Sequence, residues 1–369
     1  MQALHALLTQ ATQDGTIPGA VVCVARRGTL LWHQAYGLAA CTPVARPMQC
    51  QTLFDVASLT KVLVTTPLLL LAQQQGHLSL EMPLRTWYPQ TAGSPLAQVS
   101  LRQLLAHTGG LTAWLPLYEH LCPAGSAPGS ADGTQEPCQQ AVALILRAPL
   151  AYAPGTATRY SDLGFILLGD ILAKQYQERL DRLFVREVAA PLGLQQMGYR
   201  PLPGAPGASA ASADYAATED CPWRGRVLVG EVHDENAWAM GGVAGHAGLF
   251  ATALSIWQFV HAMLEAAAGR CDWLAAPLLR TSWQRQDTPV GTTRALGWDT
   301  PTPGSSSAGT LFSADSIGHL GFTGCSLWID LRQQVTVVLC TNRVHPSRHA
   351  TGIRWLRPAV HNAVMRALV

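Results

Sequence analysis

Ser58 and Lys61 stand three residues apart in the stretch Asp55-Val-Ala-Ser-Leu-Thr-Lys-Val-Leu-Val-Thr-Thr66. On a helix that spacing puts both on one face, with Cβ atoms about 5–6 Å apart, so a hydroxyl and an amine would lie side by side. Serine alone is a weak nucleophile and needs a base; a lysine taken out of water can be one. A helix beginning near Ser58 would also turn the positive end of its macrodipole toward charge developing on oxygen. Of the 25 basic residues other than histidine, 23 are arginine and only Lys61 and Lys174 are lysine. Arginine keeps its proton and cannot serve as a base, so proton transfer explains why position 61 escaped the bias. Lys174, with Ile171 three residues before it, reads as an ordinary solvated helix position.

Other catalytic signatures do not compete. The chain contains no Gly-x-Ser-x-Gly elbow, no Gly-x-x-x-x-Gly-Lys phosphate loop and no His-Glu-x-x-His metal helix. The glycine-rich Gly241-Gly-Val-Ala-Gly-His-Ala-Gly248 fits no dinucleotide fingerprint and is expected to permit close backbone packing near a cleft. His107, before Thr108-Gly-Gly110, reads as a helix stop and therefore as structural.

The elements that must position the pair follow from composition and periodicity. The 369 residues are 48% hydrophobic and 13% charged, which describes a globular chain and not a disordered one. Net charge is +2 and the arginines are scattered, so no basic stripe marks a nucleic-acid surface. The apolar run Val62–Ala72 is too short to span a bilayer, so no membrane is expected as partner. The first residues lack a basic n-region and long apolar core, which leads to the expectation of a cytoplasmic protein, or a periplasmic one if the chain is trimmed. The nine cysteines include no Cys-x-x-Cys pair and are expected to be reduced, without a zinc site.

A helix over 2–13, then Gly19–Ala25 and Leu30–Gly37 around the turn at Arg26–Thr29, read as helix, strand, strand. The far end mirrors them, with β-like runs at Leu311–Ser313, Gly318–Gly321, Ser326–Asp330 and Val335–Cys340 and a closing helix over 352–368. Helical patterns fall between, near 59–75, 98–106, 137–147, 162–175, 178–187 and 253–267. Two low-complexity loops, 123–133 and 201–212, read as surface insertions. The fold class is therefore α+β: an antiparallel sheet built from both chain ends with flanking helices, plus an inserted, mostly helical region. We place the sheet domain at 1–52 and 275–369 and the helical domain at 53–274, with the site at their seam.

Three motifs in order make the chain recognisable. Phe54-Asp-Val-Ala-Ser58-Leu-Thr-Lys61, Tyr160-Ser161-Asp162 and Gly318-His319-Leu320-Gly321 resemble the Ser-x-x-Lys, Tyr-x-Asn and Lys-Thr-Gly motifs of the serine β-lactamase and penicillin-binding-protein superfamily. The tyrosine of the second motif is similar to the class C, D-alanyl-D-alanine peptidase and esterase branch. The resemblance implies a β-lactamase-like fold and a serine hydrolase without metal or organic cofactor. It implies Ser58 as the acylated nucleophile, Lys61 as its proton partner and Tyr160 as acid and base. It implies an oxyanion hole made by the amides of Ser58 and Phe322.

Two positions depart from the pattern. His319 replaces a lysine with a side chain mostly neutral near pH 7. Asp162 replaces an asparagine, can only accept hydrogen bonds when ionised, and near Lys61 would favour the cation. We therefore expect Lys61 to stay cationic and to lower the pKa of Tyr160, the principal base. Asp162, His319, Gly321, Asn342, Arg343, His233, Asp234 and His246 are expected to bind substrate, with His345 beside them and no metal among the histidines.

The resemblance implies an ester or amide substrate, cleaved by a carboxylesterase or by a muropeptide amidase acting on a cell-wall fragment. Gly230-Glu-Val-His-Asp-Glu-Asn-Ala237 is similar to N-acetylmuramyl-L-alanine amidases. A β-lactamase, a D-alanyl-D-alanine carboxypeptidase, an acyltransferase on the same fold and a non-catalytic penicillin-binding-like module stay open as alternatives.

Overall fold

The computed structural model describes residues 1–122, 136–202 and 214–369. The loop expected at 123–133 and most of the one expected at 201–212 lie outside the described residues.

Alternating apolar side chains from both chain ends build one six-stranded antiparallel sheet. Its order is Arg46–Pro47, Thr29–Ala40, Gly19–Arg26, Val335–Thr341, Ser326–Asp330 and Ser316–Leu320. The first and last thirds of the chain meet at its centre, where Ala20 opposes Thr341 and Val24 opposes Val337. Strand Gly19–Arg26 shows why a strand forms there: its side chains point alternately to opposite faces, and both faces are covered. Val22 and Val24 join Leu4, Leu8, Leu356 and Val360 beneath the terminal helices Gln2–Gln13 and Ile353–Leu368. Val21 and Cys23 face the other way, into a core shared with Phe259, Leu63 and Phe165.

This second core runs without a break from the sheet into the helical region, so the seam between the two parts is packed. Helix Ala253–Ala267, read from sequence as part of the helical region, lies directly on the two central strands. The run Leu311–Ser313 is not a strand; it is a bend whose Ser313 amide and hydroxyl both bond Asp330. Among the described residues no helix is long and apolar enough to cross a membrane.

The expected helix over 59–75 is continuous but not uniform. It opens with a 3-10 turn at Ala57–Leu59, widens into a π turn at Lys61–Thr65 and becomes α-helical at Thr66–Gln74. Pro67 is the physical reason: it lacks an amide for the Leu63 carbonyl and its ring crowds that oxygen, so the turn before it opens. Thr65, in the widened turn, sends its hydroxyl to the Gly245 carbonyl at 2.6 Å.

Gly245 allows that approach. A Cβ there would collide with the Phe165 carbonyl oxygen and lie 2.9 Å from the Gly169 Cα, so two backbones touch where neither glycine could carry a side chain. Gly245→Ala should therefore destabilise the fold by about 1–3 kcal/mol, as overpacking does. Urea unfolding of the variant measures this, and a midpoint equal to that of the parent would refute the contact.

Candidate active site

The nucleophile segment is held from below by one carboxylate. Asp55 is buried; its Oδ1 accepts the Ala57 amide at 2.8 Å and its Oδ2 accepts the His233 amide at 2.6 Å. Burial pushes its pKa up, and the two amides work against that. Ala57 sits at φ +46°, a left-handed conformation that costs a non-glycine residue about 1 kcal/mol or more. The Asp55 bond holds that turn, and the turn lifts Ser58 to the wall of a cleft of about 810 Å³.

Lys61 lies one helical turn below and is fully buried. Its Nζ donates to Ser58 Oγ at 3.0 Å and to the His246 carbonyl at 3.1 Å, and stands 2.7 Å from Asp162 Oδ1. Burial alone would strip the proton from this ammonium, but Asp162 and Tyr160 outweigh it and hold the pKa above the ordinary lysine value. That direction favours the ammonium form. Tyr160 lies within hydrogen-bonding reach of both Ser58 and Lys61. Lys61 lowers the Tyr160 pKa in the expected direction, but burial, with Asp162 adding to it, raises it more, so the net shift is upward. At neutral pH the resting site therefore holds a phenol, not a phenolate.

His107 positions the tyrosine. It follows helix Leu101–Leu105 at φ +58°, and its Nδ1 accepts the Ser161 amide at 3.1 Å. Its ring packs on Tyr160 at 4.6 Å between centroids. Burial, with Arg294, Lys61 and His319 adding to it, keeps the imidazole well below its usual pKa and hence neutral. Asp162 begins helix Asp162–Tyr176, its amide bonded to the Ala113 carbonyl at 3.0 Å. By contrast Lys174, near the end of that helix, is not merely solvated; it pairs with Asp170 at 2.7 Å and lies over the Tyr88 ring.

The opposite wall is the turn after strand Ser316–Leu320. His319 is buried, with Nδ1 against the Leu320 carbonyl at 2.9 Å and Nε2 without a partner among the described residues. Burial, then Lys61 and Arg294, keep it neutral, so no cation stands at this position of the motif. Gly321 packs against the Val56 carbonyl so closely that no Cβ would fit. Phe322 lines the cleft, and no backbone carbonyl accepts from its amide or from that of Ser58 among the described residues. The turn is clamped by Arg357 from the C-terminal helix, whose guanidinium is buried without a carboxylate and reaches the carbonyls of Gly321 (2.6 Å), Cys325 (2.8 Å) and Gly324 (3.3 Å). Burial lowers the Arg357 pKa to about 10. Arg343 donates to the Phe322 carbonyl at 2.9 Å, and Thr323 Oγ1 ties the turn to the Asp55 carbonyl at 2.7 Å.

The remaining candidates separate. His233 and Asp234 line the cleft, and His233 stacks on Phe322 while bonding Glu219 at 3.1 Å. His246 bonds Asp234 at 2.9 Å, an arrangement that fixes the carbonyl facing Lys61. The histidines do not converge: each has its own partner, and among the described residues no His, Cys, Asp and Glu group could hold a metal ion. Asn342 is a correction, because it is buried outside the cleft with its amide on the carbonyls of Leu38 and Ala39. His345 is likewise structural, bridging the Thr218 carbonyl and the Cys41 amide. Arg294, absent from the sequence reading, stands 5.3 Å from the Tyr160 ring and pairs with Asp299. It carries no motif; only the fold brings it there.

A family model described as Beta-lactamase matches residues 4–361. The chain is 30% identical over 360 residues to a "Putative D-alanyl-D-alanine carboxypeptidase" of Escherichia coli strain K12, covering 90% of this chain and 80% of that protein. It is also 30% identical over 356 residues to the "N-acetylmuramyl-L-alanine amidase" of Bacillus subtilis strain 168, covering 89% and 78%. Among solved structures, "EstCE1, a hydrolase with promiscuous acyltransferase activity" shares the fold, with TM-score 0.74, 22% identity and 98% of each chain covered.

Because the chain has two lysines, lysine side-chain NMR resolves Lys61 directly. Its titration should lie above the ordinary value of about 10.4. Asp162→Asn removes the charge that raises it, so the midpoint should fall. An unchanged midpoint in that variant would show that the ion pair does not set the charge.

Proposed function

This chain belongs to the β-lactamase family and is a serine hydrolase of that family; within it, we propose an enzyme that opens an amide of a cell-wall fragment through an acyl-enzyme on Ser58. One observation carries the reading: a fully buried lysine 3.0 Å from a cleft-lining serine hydroxyl, with its charge held by a carboxylate at 2.7 Å. Two relatives at 30% identity are named for bonds to alanine, which supports an amide over an ester.

The proton path follows from the geometry. Lys61 and Tyr160 together lose a proton as pH rises, and Lys61, as the nearby cation, favours the form with charge on the phenol oxygen. Tyr160 then takes the Ser58 Oγ proton as Oγ attacks the carbonyl carbon. The oxyanion forms between the amides of Ser58 and Phe322, two donors on opposite walls. As the carbon–nitrogen bond breaks, Tyr160 returns its proton to the leaving amine. Water enters, gives a proton to Tyr160 and attacks the ester carbonyl; the acid leaves and Ser58 regains its proton. His319 offers no cation, so a substrate carboxylate gains no charge pairing there, and we expect β-lactams to be turned over weakly.

Purified protein, Ser58→Ala and Tyr160→Phe would be incubated with a muramyl dipeptide, a short-chain aryl ester and a chromogenic cephalosporin, following turnover and intact mass. We expect the muramyl peptide to be the best substrate, a Ser58-dependent acyl adduct, and a loss of about 100-fold or more in kcat/KM for Tyr160→Phe. Full activity in Tyr160→Phe would move the base role to Lys61. No turnover and no adduct on any substrate would leave a binding module.

Arg357 gives a second test. Arg357→Ala should lower kcat about 10- to 100-fold with little change in KM, because the Phe322 amide loses its aim while the cleft wall remains. Added guanidinium should restore part of kcat by occupying the vacated space. A variant as active as the parent, or one that unfolds where Arg357→Lys is also inactive and unrescued, would remove the positioning role.

A further inference from the structure

An aromatic strip leads away from the cleft at Trp114. Trp114 lines the same cleft as Ser58 and is 42% exposed. Its ring lies 6.3 Å from that of Tyr118, which lies 4.8 Å edge-on to Trp223, itself 41% exposed. Isolated exposed tryptophans are unremarkable on a protein surface, but a file of aromatic rings continuous with a reactive serine is not.

The strip is held from behind as a site would be. Asn236, fully buried, accepts the Tyr118 amide at 3.0 Å and donates to the Leu115 carbonyl at 2.9 Å, so one side chain fixes both ends of the Trp114–Tyr118 segment. The same segment is joined to the catalytic wall, since the Thr112 carbonyl accepts the Ser161 hydroxyl and the Ala113 carbonyl accepts the Asp162 amide. Trp223 packs edge-on against the buried Trp238 at 5.1 Å, and the Arg224 guanidinium lies beside both rings at 5.4 and 5.0 Å. Arg224 is anchored in turn on the carbonyls of Val232 and His233. Charged groups interrupt the apolar surface: Glu119 on the Tyr118 hydroxyl, and Glu235 paired with Arg348 on the cleft wall.

We propose that Trp114, Tyr118 and Trp223 form a sugar-binding subsite that seats the glycan portion of the substrate while its amide lies at Ser58. A pyranose presents a flat face of polarised C–H bonds and a rim of hydroxyls. The first stacks on the negative face of an aromatic ring, and the second needs hydrogen-bonding groups around that ring. The strip supplies both. An aliphatic chain would gain nothing from the carboxylates that break up this surface, and covering these charged groups with hydrocarbon would oppose it. The proposal deepens the amidase reading and rests on it for the substrate.

The test separates the two. Ser58→Ala would be titrated with tri-N-acetylchitotriose while following tryptophan fluorescence, with and without Trp223→Leu, which keeps apolar bulk against Arg224 and Trp238 but loses the flat face. In parallel, kcat/KM would be measured for a muramyl peptide and for a short aryl ester in the parent and Trp223→Leu. We expect saturable quenching, weakened about 3- to 10-fold by Trp223→Leu, with the same loss on the muramyl peptide and none on the aryl ester. Absence of saturable binding, or equal losses on both substrates, overturns the subsite even if the muramyl peptide is cleaved. Trp223-dependent oligosaccharide binding without turnover of the muramyl peptide upholds the subsite and refutes the amidase reading.

Discussion

A charged ammonium with no contact to water is the constraint around which this molecule is arranged. Taking a lysine out of water costs several kcal/mol unless charge and hydrogen bonds replace its hydration. At Lys61 the replacements come from three separate pieces of chain: the Ser58 hydroxyl, the Asp162 carboxylate and the His246 carbonyl. Each must arrive within about 3 Å, and each arrival has its own local device. The proline-widened turn carries Lys61, the start of helix Asp162–Tyr176 carries the carboxylate, and the contact of Gly169 with Gly245 brings the His246 carbonyl down.

The walls of the cleft obey the same rule in a different form. Behind each reactive group stands a buried polar side chain that touches backbone. Asp55 holds the turn before Ser58, neutral His107 accepts the amide after Tyr160, and Arg357 gathers three carbonyls behind Phe322. These three are themselves costly to bury, and their hydrogen bonds offset that cost only while the backbone keeps its shape. Chemistry and conformation are thus coupled at every wall.

Local patterns carried the sheet and the three motifs, because strand alternation, helix caps and Ser-x-x-Lys spacing are all short-range signals. The central pairing of Gly19–Arg26 with Val335–Thr341 could be anticipated since both runs are apolar on both faces. Local patterns could not place Arg294 or Arg357, which reach the site from a loop and from the last helix, because nothing in their neighbours marks them. They also misplaced Asn342: polar residues just after a strand read as cleft-lining, whereas its amide satisfies two carbonyls of strand Thr29–Ala40, on the far side of Gly19–Arg26. Asp55 was not singled out, although its place inside the apolar Leu53-Phe-Asp-Val-Ala57 is a composition that could have signalled a buried and partnered carboxylate. The raised pKa of Tyr160 was beyond reach, because it depends on how completely three elements close over the phenol.

The chain's preference for arginine has a practical corollary. One of its two lysines is sealed in the core, and the other lies near the end of helix Asp162–Tyr176 with its side chain 41% exposed. Amine-directed reagents therefore meet a single accessible side chain, Lys174, set in a defined ion pair. Apart from the α-amino group, dyes and cross-linkers aimed at amines would find one side chain to modify, without any engineering of the surface.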